Sequence, residues 1–118
     1  MATTDFDAEI KELRATLTTI GSVLDLDKLR SDIAALEEQV AAPDLWDDQT
    51  NAQKVTGKLS ELQGTLERFS SLDSRVDDLD VLVELAVEEG DADSLAEADA
   101  ELGRLRQDRA FQSRLQRY

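Results

Sequence analysis

The residues of this chain best suited to chemistry are acids, and one group of them surrounds the only proline and the only tryptophan. The stretch AAPDLWDDQT, residues 41–50, places Asp44, Asp47 and Asp48 close together. A calcium loop would also need a turn glycine and a glutamate at its twelfth position, and both are missing here. We therefore interpret Asp47 or Asp48 as the N-cap of a following helix, because aspartate side chains accept hydrogen bonds from free helix N–H groups.

A second acidic group surrounds Gly90 and consists of Glu88, Glu89, Asp91 and Asp93. Glycine favours the left-handed conformation that ends a helix, and an aspartate after it favours a new helix start. The simpler interpretation is a solvated turn between two helices. The alternative is an exposed acidic tip that a basic partner recognises.

The sequence does not favour catalysis or cofactor binding. It contains no histidine and no cysteine, and therefore lacks the commonest general base, the commonest metal ligand and any thiolate. No nucleophile elbow, phosphate-binding loop or dinucleotide fingerprint is present. We predict that the chain is not an enzyme and has no catalytic, cofactor-binding or metal-ligating residue.

The charge is strongly negative and uneven. The 118 residues carry a net charge of −14, which disfavours sequence-specific contact with nucleic acid because phosphates are repelled. Residues 104–118 hold five arginines and one aspartate, a net charge of +4. We favour attraction between these arginines and the acidic remainder, or their stabilisation at a helix C-terminus, over an anion-binding tail.

Apolar residues recur every three or four positions, the spacing of a buried stripe on an α-helix. The stripes run through residues 6–24, 26–40, 52–86 and 95–105. Whether the first two stripes belong to separate helices or to one kinked helix stays open. The pattern predicts an all-α, elongated bundle of three or four helices, with a long antiparallel hairpin that turns at residues 88–93.

Two segments depart from these stripes. Pro43 should end the second helix, with Leu45 and Trp46 packed in the corner before the third, so these three residues are expected to form a structural joint. Near the end, Phe111 follows in a different phase from Leu105. Either the helix ends and the chain turns away, or the last apolar residues contact a partner. We place a domain boundary between residues 1–107 and 108–118.

Neither a membrane span nor a signal peptide is evident. No apolar run approaches the roughly 18 residues of a span, and the start MATTDFDAEIKE lacks a basic and apolar leader. A cytoplasmic protein is therefore expected, with an oligomeric state that the sequence leaves open.

Several elements together resemble the N-terminal helical domain of bacterial peptide chain release factors of type 2, class I factors of translation termination. Residues 43–46, Pro-Asp-Leu-Trp, match the family's Pro-Asp-(Leu/Val)-Trp element, and an Ala-Gln pair follows at 52–53. Residues 78–79 and 82–86 match its DL…LLELA segment. Residues 88–91, 97–98 and 101–102 match the hairpin tip and the returning helix, so the resemblance covers about residues 5–107.

The resemblance implies a role on the ribosome without the family's chemistry. The Ser-Pro-Phe motif for stop-codon reading and the Gly-Gly-Gln motif for peptide release are both missing from these 118 residues. The family's next segment, Ser-Gly-Glu-Tyr-Asp, is missing as well, so the chain resembles a fragment or a stand-alone relative of one domain. In the family this domain is implied to sit at the stalk base of the large ribosomal subunit.

The leading hypothesis is a non-catalytic ribosome-interaction domain of a factor that, at full length, directs peptide release at UGA and UAA. The alternatives are a self-associating coiled-coil module and a stand-alone decoy that occupies the ribosome without reading codons.

Overall fold

The computed structural model describes residues 4–111, and these residues form helices and no strands. The elements are α1 (Phe6–Leu24), α2 (Leu26–Ala41), a 3₁₀ helix (Pro43–Asp47), α3 (Gln49–Glu89) and α4 (Ala92–Arg106). The prediction of an all-α fold is confirmed. The chain divides into a first unit, Met1–Ile20 with Ser71–Tyr118, and a second unit, Gly21–Ser70, which are described separately below.

Aspartates set the starts of the first two helices. The Asp5 carboxylate accepts a hydrogen bond from the Ala8 N–H at 3.1 Å, which caps α1. Asp25 has a φ of 53°, a left-handed conformation that no helix interior contains. Its carboxylate accepts from the Lys28 N–H at 3.3 Å and so caps α2. The shift in phase between the first two stripes is therefore a true break between two helices.

In the second unit, Pro43 acts as expected. The helix α2 ends at Ala41, and Pro43 takes the first position of the 3₁₀ helix, where a missing N–H costs nothing. Leu45 from this short helix is buried, with 8% of its surface exposed. It belongs to a small apolar cluster made by both flanking helices: Leu36, Val40, Leu45, Ala52 and Val55.

The start of α3 is capped by Asp48, which decides between the two candidate aspartates. Its carboxylate accepts from the Asn51 N–H at 3.1 Å, and its carbonyl accepts from the Ala52 N–H at 2.9 Å. In the same unit, Gly21 allows close packing. A Cβ there would meet Leu26 Cδ1 at 3.2 Å and the ring of Phe69 at 3.3 Å.

The first unit buries apolar stripes from α1, from the C-terminal half of α3 and from α4. Its best-buried large side chains are Val76, Leu79 and Leu105, each at most 1% exposed. Burying one such side chain contributes about 1.5–3 kcal/mol. Around them lie Ile10, Leu13, Leu17, Leu72, Val83, Ala86, Ala98, Leu102 and Phe111.

Contacts between side chains define the helix directions in this unit. A two-residue connection makes α3 and α4 antiparallel, and Arg75 and Glu101 bridge them at 2.6 Å. Two contacts join the α1 end of the chain to α4. Thr4 donates to Asp99 at 2.8 Å, and Glu9 lies 3.6 Å from Arg106. The later residue near the start of the chain, Glu9, contacts the later residue of α4, Arg106. Therefore α1 runs parallel to α4 and antiparallel to α3.

The glycine at the turn gives a test of this fold. Gly90 has a φ of 64°, which disfavours any residue with a Cβ, whereas Gly57 lies inside α3 with open space around it. Gly90→Ala should lower the free energy of unfolding by about 1 kcal/mol, and Gly57→Ala should raise it by up to about 1 kcal/mol. Urea denaturation of both variants measures this. Effects of the same sign would contradict the assigned backbone conformations.

Candidate functional site

The acidic tip predicted from the sequence lies at a tightly built turn between α3 and α4. The N–H of Gly90 donates to the Val87 carbonyl at 3.3 Å, and the N–H of Asp91 donates to the Ala86 carbonyl at 3.0 Å. This pair of bonds with a left-handed glycine is a Schellman motif, which satisfies the last carbonyls of α3. The turn therefore holds the neighbouring acids in a defined position.

Asp91 differs from the other tip acids, because its carboxylate belongs to the turn. It accepts hydrogen bonds from the Asp93 N–H at 3.0 Å, the Ser94 N–H at 3.3 Å and the Ser94 hydroxyl at 2.9 Å. The Ser94 hydroxyl, and then its N–H, hold the pKa of Asp91 below its ordinary value. Asp91 is thus the N-cap of α4.

Three carboxylates of the tip remain for a partner. Glu88, Glu89 and Asp93 are exposed, and their carboxylates make no hydrogen bond or ion pair within residues 4–111. Moreover, no lysine or arginine occurs between Arg75 and Arg104. The tip is therefore a region of negative potential, because the parts of its two helices between residues 76 and 103 carry no compensating charge.

Apolar side chains beside the tip were missed from the sequence. Val81 is 54% exposed and Leu85 is 50% exposed, four positions apart on one face of α3. Glu84 and Glu88 lie at the adjoining positions of that face. We call Val81, Glu84, Leu85 and Glu88 the acidic-apolar face. The signal for it was available, since Val81 and Leu85 fall outside the buried stripe of α3.

Ion pairs at the edges of the core neutralise other acids. The Arg14 guanidinium of α1 donates to Asp77 at 2.6 Å and to Asp80 at 2.9 Å on α3. Hydrogen bonds to Asp77, and then to Asp80, raise the pKa of Arg14. These carboxylates hold α1 against α3 and are engaged in structure.

The arginines near the end of the chain lie among acids. Arg104 lies 3.5 Å from Glu101, and Arg106 lies 3.6 Å from Glu9. Attraction within the first unit therefore accounts for these two cations. Arg109 is exposed, while Arg114 and Arg117 are outside the described residues.

The change of phase before Phe111 reflects a turn of the chain. The helix α4 ends at Arg106, and the Asp108 carboxylate accepts from the Ala110 N–H at 3.0 Å. Phe111 is then buried, with 3% of its surface exposed. The sequence left two explanations for the change of phase: a helix end followed by a turn of the chain, or contact with a partner. The first applies to Phe111. Leu115 and Tyr118 lie outside the described residues.

The expected structural joint needs one correction. Pro43 and Leu45 lie where the sequence placed them, but Trp46 is 57% exposed, so the prediction that it packs into the corner is wrong. A 3₁₀ helix turns about 120° per residue. Consecutive side chains therefore point in different directions, and Leu45 occupies the corner while Trp46 faces solvent.

The described part of the chain contains neither a bilayer-spanning helix nor a cluster of metal ligands. No helix within residues 4–111 combines the length and the apolar character needed to cross a bilayer. Over the same residues, no three acidic side chains converge in a way that would hold a metal ion.

The pair between Arg75 and Glu101 predicts a pH-dependent stability. The Arg75 guanidinium first, and Arg104 to a lesser extent, lower the pKa of Glu101 from its ordinary 4.5. A lowered folded-state pKa stabilises the fold above the unfolded pKa, and this contribution is lost as pH falls through the folded pKa.

Glu101→Gln should therefore cost about 1 kcal/mol of unfolding free energy at pH 7, a modest value because both side chains are partly exposed. The difference from the parent chain should be smaller at pH 3 than at pH 7. Urea denaturation at both pH values measures it, with the exposed and unpaired Glu97→Gln as the control. A constant difference at both pH values would show that the ion pair is not its cause.

Comparison with known proteins agrees with the resemblance in the sequence. Residues 29–117 match the family model described as the PCRF domain. This match runs beyond residue 107, and the proposed boundary at 107–108 stays a prediction.

Curated relatives share more than half of their aligned residues with the chain. Peptide chain release factor 2 of Beutenbergia cavernae is 60% identical over 103 residues, which cover 87% of this chain and 28% of the relative. The proteins of the same name from Pseudarthrobacter chlorophenolicus and Streptomyces avermitilis are 58% and 56% identical over 102 residues, which cover 86% of this chain and 28% of each relative. This chain thus spans less than a third of their length. Because the family model matches most of its residues, the chain belongs to the PCRF domain family.

Proposed function

We propose that this chain is the N-terminal helical domain of a cytoplasmic translation termination factor and that it acts as a non-catalytic ribosome-interaction domain. At full length, such a factor directs peptide release at UGA and UAA stop codons. The observation that carries the proposal is the PCRF match over residues 29–117, together with relatives named peptide chain release factor 2.

The non-catalytic role is supported by what the polar residues do. Charged side chains with partners in the fold, such as Arg14, Arg75 and Asp91, bridge helices or cap them. The 118 residues include neither Ser-Pro-Phe nor Gly-Gly-Gln. Codon reading and hydrolysis of peptidyl-tRNA are therefore assigned to other parts of the factor.

The hairpin tip is the proposed point of contact with the ribosome, at the stalk base of the large subunit. Its free carboxylates, Glu88, Glu89 and Asp93, repel phosphates and attract lysine and arginine side chains. The acidic-apolar face beside them adds exposed apolar surface, which becomes favourable when a partner covers it. A basic protein surface suits this combination better than RNA does.

A release assay tests the proposed role. Residues 1–118 should be joined to the remainder of the B. cavernae relative, in place of its matching segment. This chimera should release formylmethionine at UGA and UAA, whereas residues 1–118 alone should release none. The intact relative is the control for ribosome quality.

Two results would contradict the proposal. Release by residues 1–118 alone would show that the domain is catalytic. A folded chimera without activity would show that the chain cannot serve as this domain. A stable dimer in sedimentation that does not bind ribosomes would instead favour the self-associating coiled-coil module.

A further inference from the structure

Trp46 in the second unit is presented to solvent by a rigid local structure. Pro43 restricts the backbone at the first position of the 3₁₀ helix, and Leu45 anchors that helix in the apolar cluster. Trp46 follows with 57% of its surface exposed and makes no hydrogen bond or ring contact within residues 4–111. An anchored turn that exposes the only tryptophan leaves a flat aromatic surface without a partner.

Two aspartates belong to the same 3₁₀ helix as Trp46. In a 3₁₀ helix, residues three positions apart lie on the same edge, so Asp44 and Asp47 share one edge next to Trp46. Both are exposed, and neither makes an ion pair or hydrogen bond within the described part of the chain. Asp48, in contrast, is occupied in capping α3.

We propose that Trp46, Asp44 and Asp47 form a receptor for an arginine side chain of a protein partner. A guanidinium stacks on an indole face, and its remaining N–H groups can donate to carboxylates at the same time. Arginine fits this arrangement better than lysine, because its planar fork can stack and donate at once. Nucleic acid is the poorer candidate, because the aspartates and the net charge of −14 repel phosphates.

This receptor shares no residue with the hairpin tip, because its three residues belong to the second unit. Its test is independent of the ribosomal role, because it measures peptide binding to three side chains of one turn and uses no ribosome.

The chain carries its own reporter for the test, because Trp46 is its only tryptophan. Hexa-arginine peptide should be titrated into residues 1–118 at low ionic strength while the emission of Trp46 is followed. We expect a saturable change in emission. Hexa-lysine should bind about two- to fivefold more weakly, the range expected from one exposed cation–π contact.

A matched pair of double variants separates this receptor from general attraction to an acidic protein. Asp44→Asn with Asp47→Asn and Asp73→Asn with Asp78→Asn each remove two exposed negative charges. The first pair should raise the Kd for hexa-arginine about tenfold, from two lost pairs with a guanidinium. The second pair should leave the Kd within about twofold of the parent value.

The aromatic requirement is tested with a fluorescein-labelled hexa-arginine peptide, because replacing Trp46 removes the intrinsic signal. Trp46→Leu should weaken binding about two- to fivefold, whereas Trp46→Phe should retain most of it. Both substitutions are at an exposed side chain, so the fold is expected to tolerate them.

Any of four results would overturn the proposed receptor. In the titrations, these are no emission change with hexa-arginine, or the same emission change with a single-stranded oligouridylate. Among the variants, they are equal weakening by both double variants, or equal peptide binding by Trp46→Leu and the parent chain.

Discussion

The structure depends on the burial of the apolar stripe of α3, which is buried at Ala52 and Val55 in the second unit and between Leu72 and Ala86 in the first. A helix of 41 residues cannot cover its own stripe, so every other helix is placed by the need to cover part of it. In the second unit, Ala52 and Val55 are covered from the side of α2 and Leu45. In the first unit, α1 and α4 cover the part of the stripe that includes Val76 and Leu79.

Electrostatics decides which acids remain for recognition. Where helices meet, arginines pair with carboxylates, as Arg14 does with Asp77 and Asp80. Where a helix starts, an aspartate such as Asp91 is held by backbone N–H groups. The acids beyond these positions stay unpaired at the tip, because its two helices carry no nearby cation. Ion pairs at the edges of the core and helix caps therefore engage these charges, whereas the carboxylates of the tip stay available to a basic surface.

Much of the fold could be predicted because helices impose a period on their apolar residues. The stripes, the stop at Pro43 and the glycine turn at Gly90 all follow from local rules. Whether the first two stripes form one kinked helix or two helices separated at Asp25 could not be predicted, because a shift of phase fits both a kink and a left-handed residue. The exposure of Trp46 was missed because burial depends on which way a 3₁₀ turn faces, and residue type says little about that. Of the predicted tip acids, only the structure separates the capping Asp91 from its three unpaired neighbours.

The central claim is that the acidic hairpin tip brings this domain to the large ribosomal subunit. Binding of residues 1–118 to isolated large and small subunits, measured by cosedimentation, tests it most directly. The parent chain should bind large subunits and not small ones, and Glu88→Lys with Glu89→Lys should weaken that binding about tenfold or more. Glu37→Lys with Glu38→Lys, another adjacent exposed pair, should leave it nearly unchanged. Absence of binding, equal binding to both subunits, or equal loss in both variants would contradict the claim.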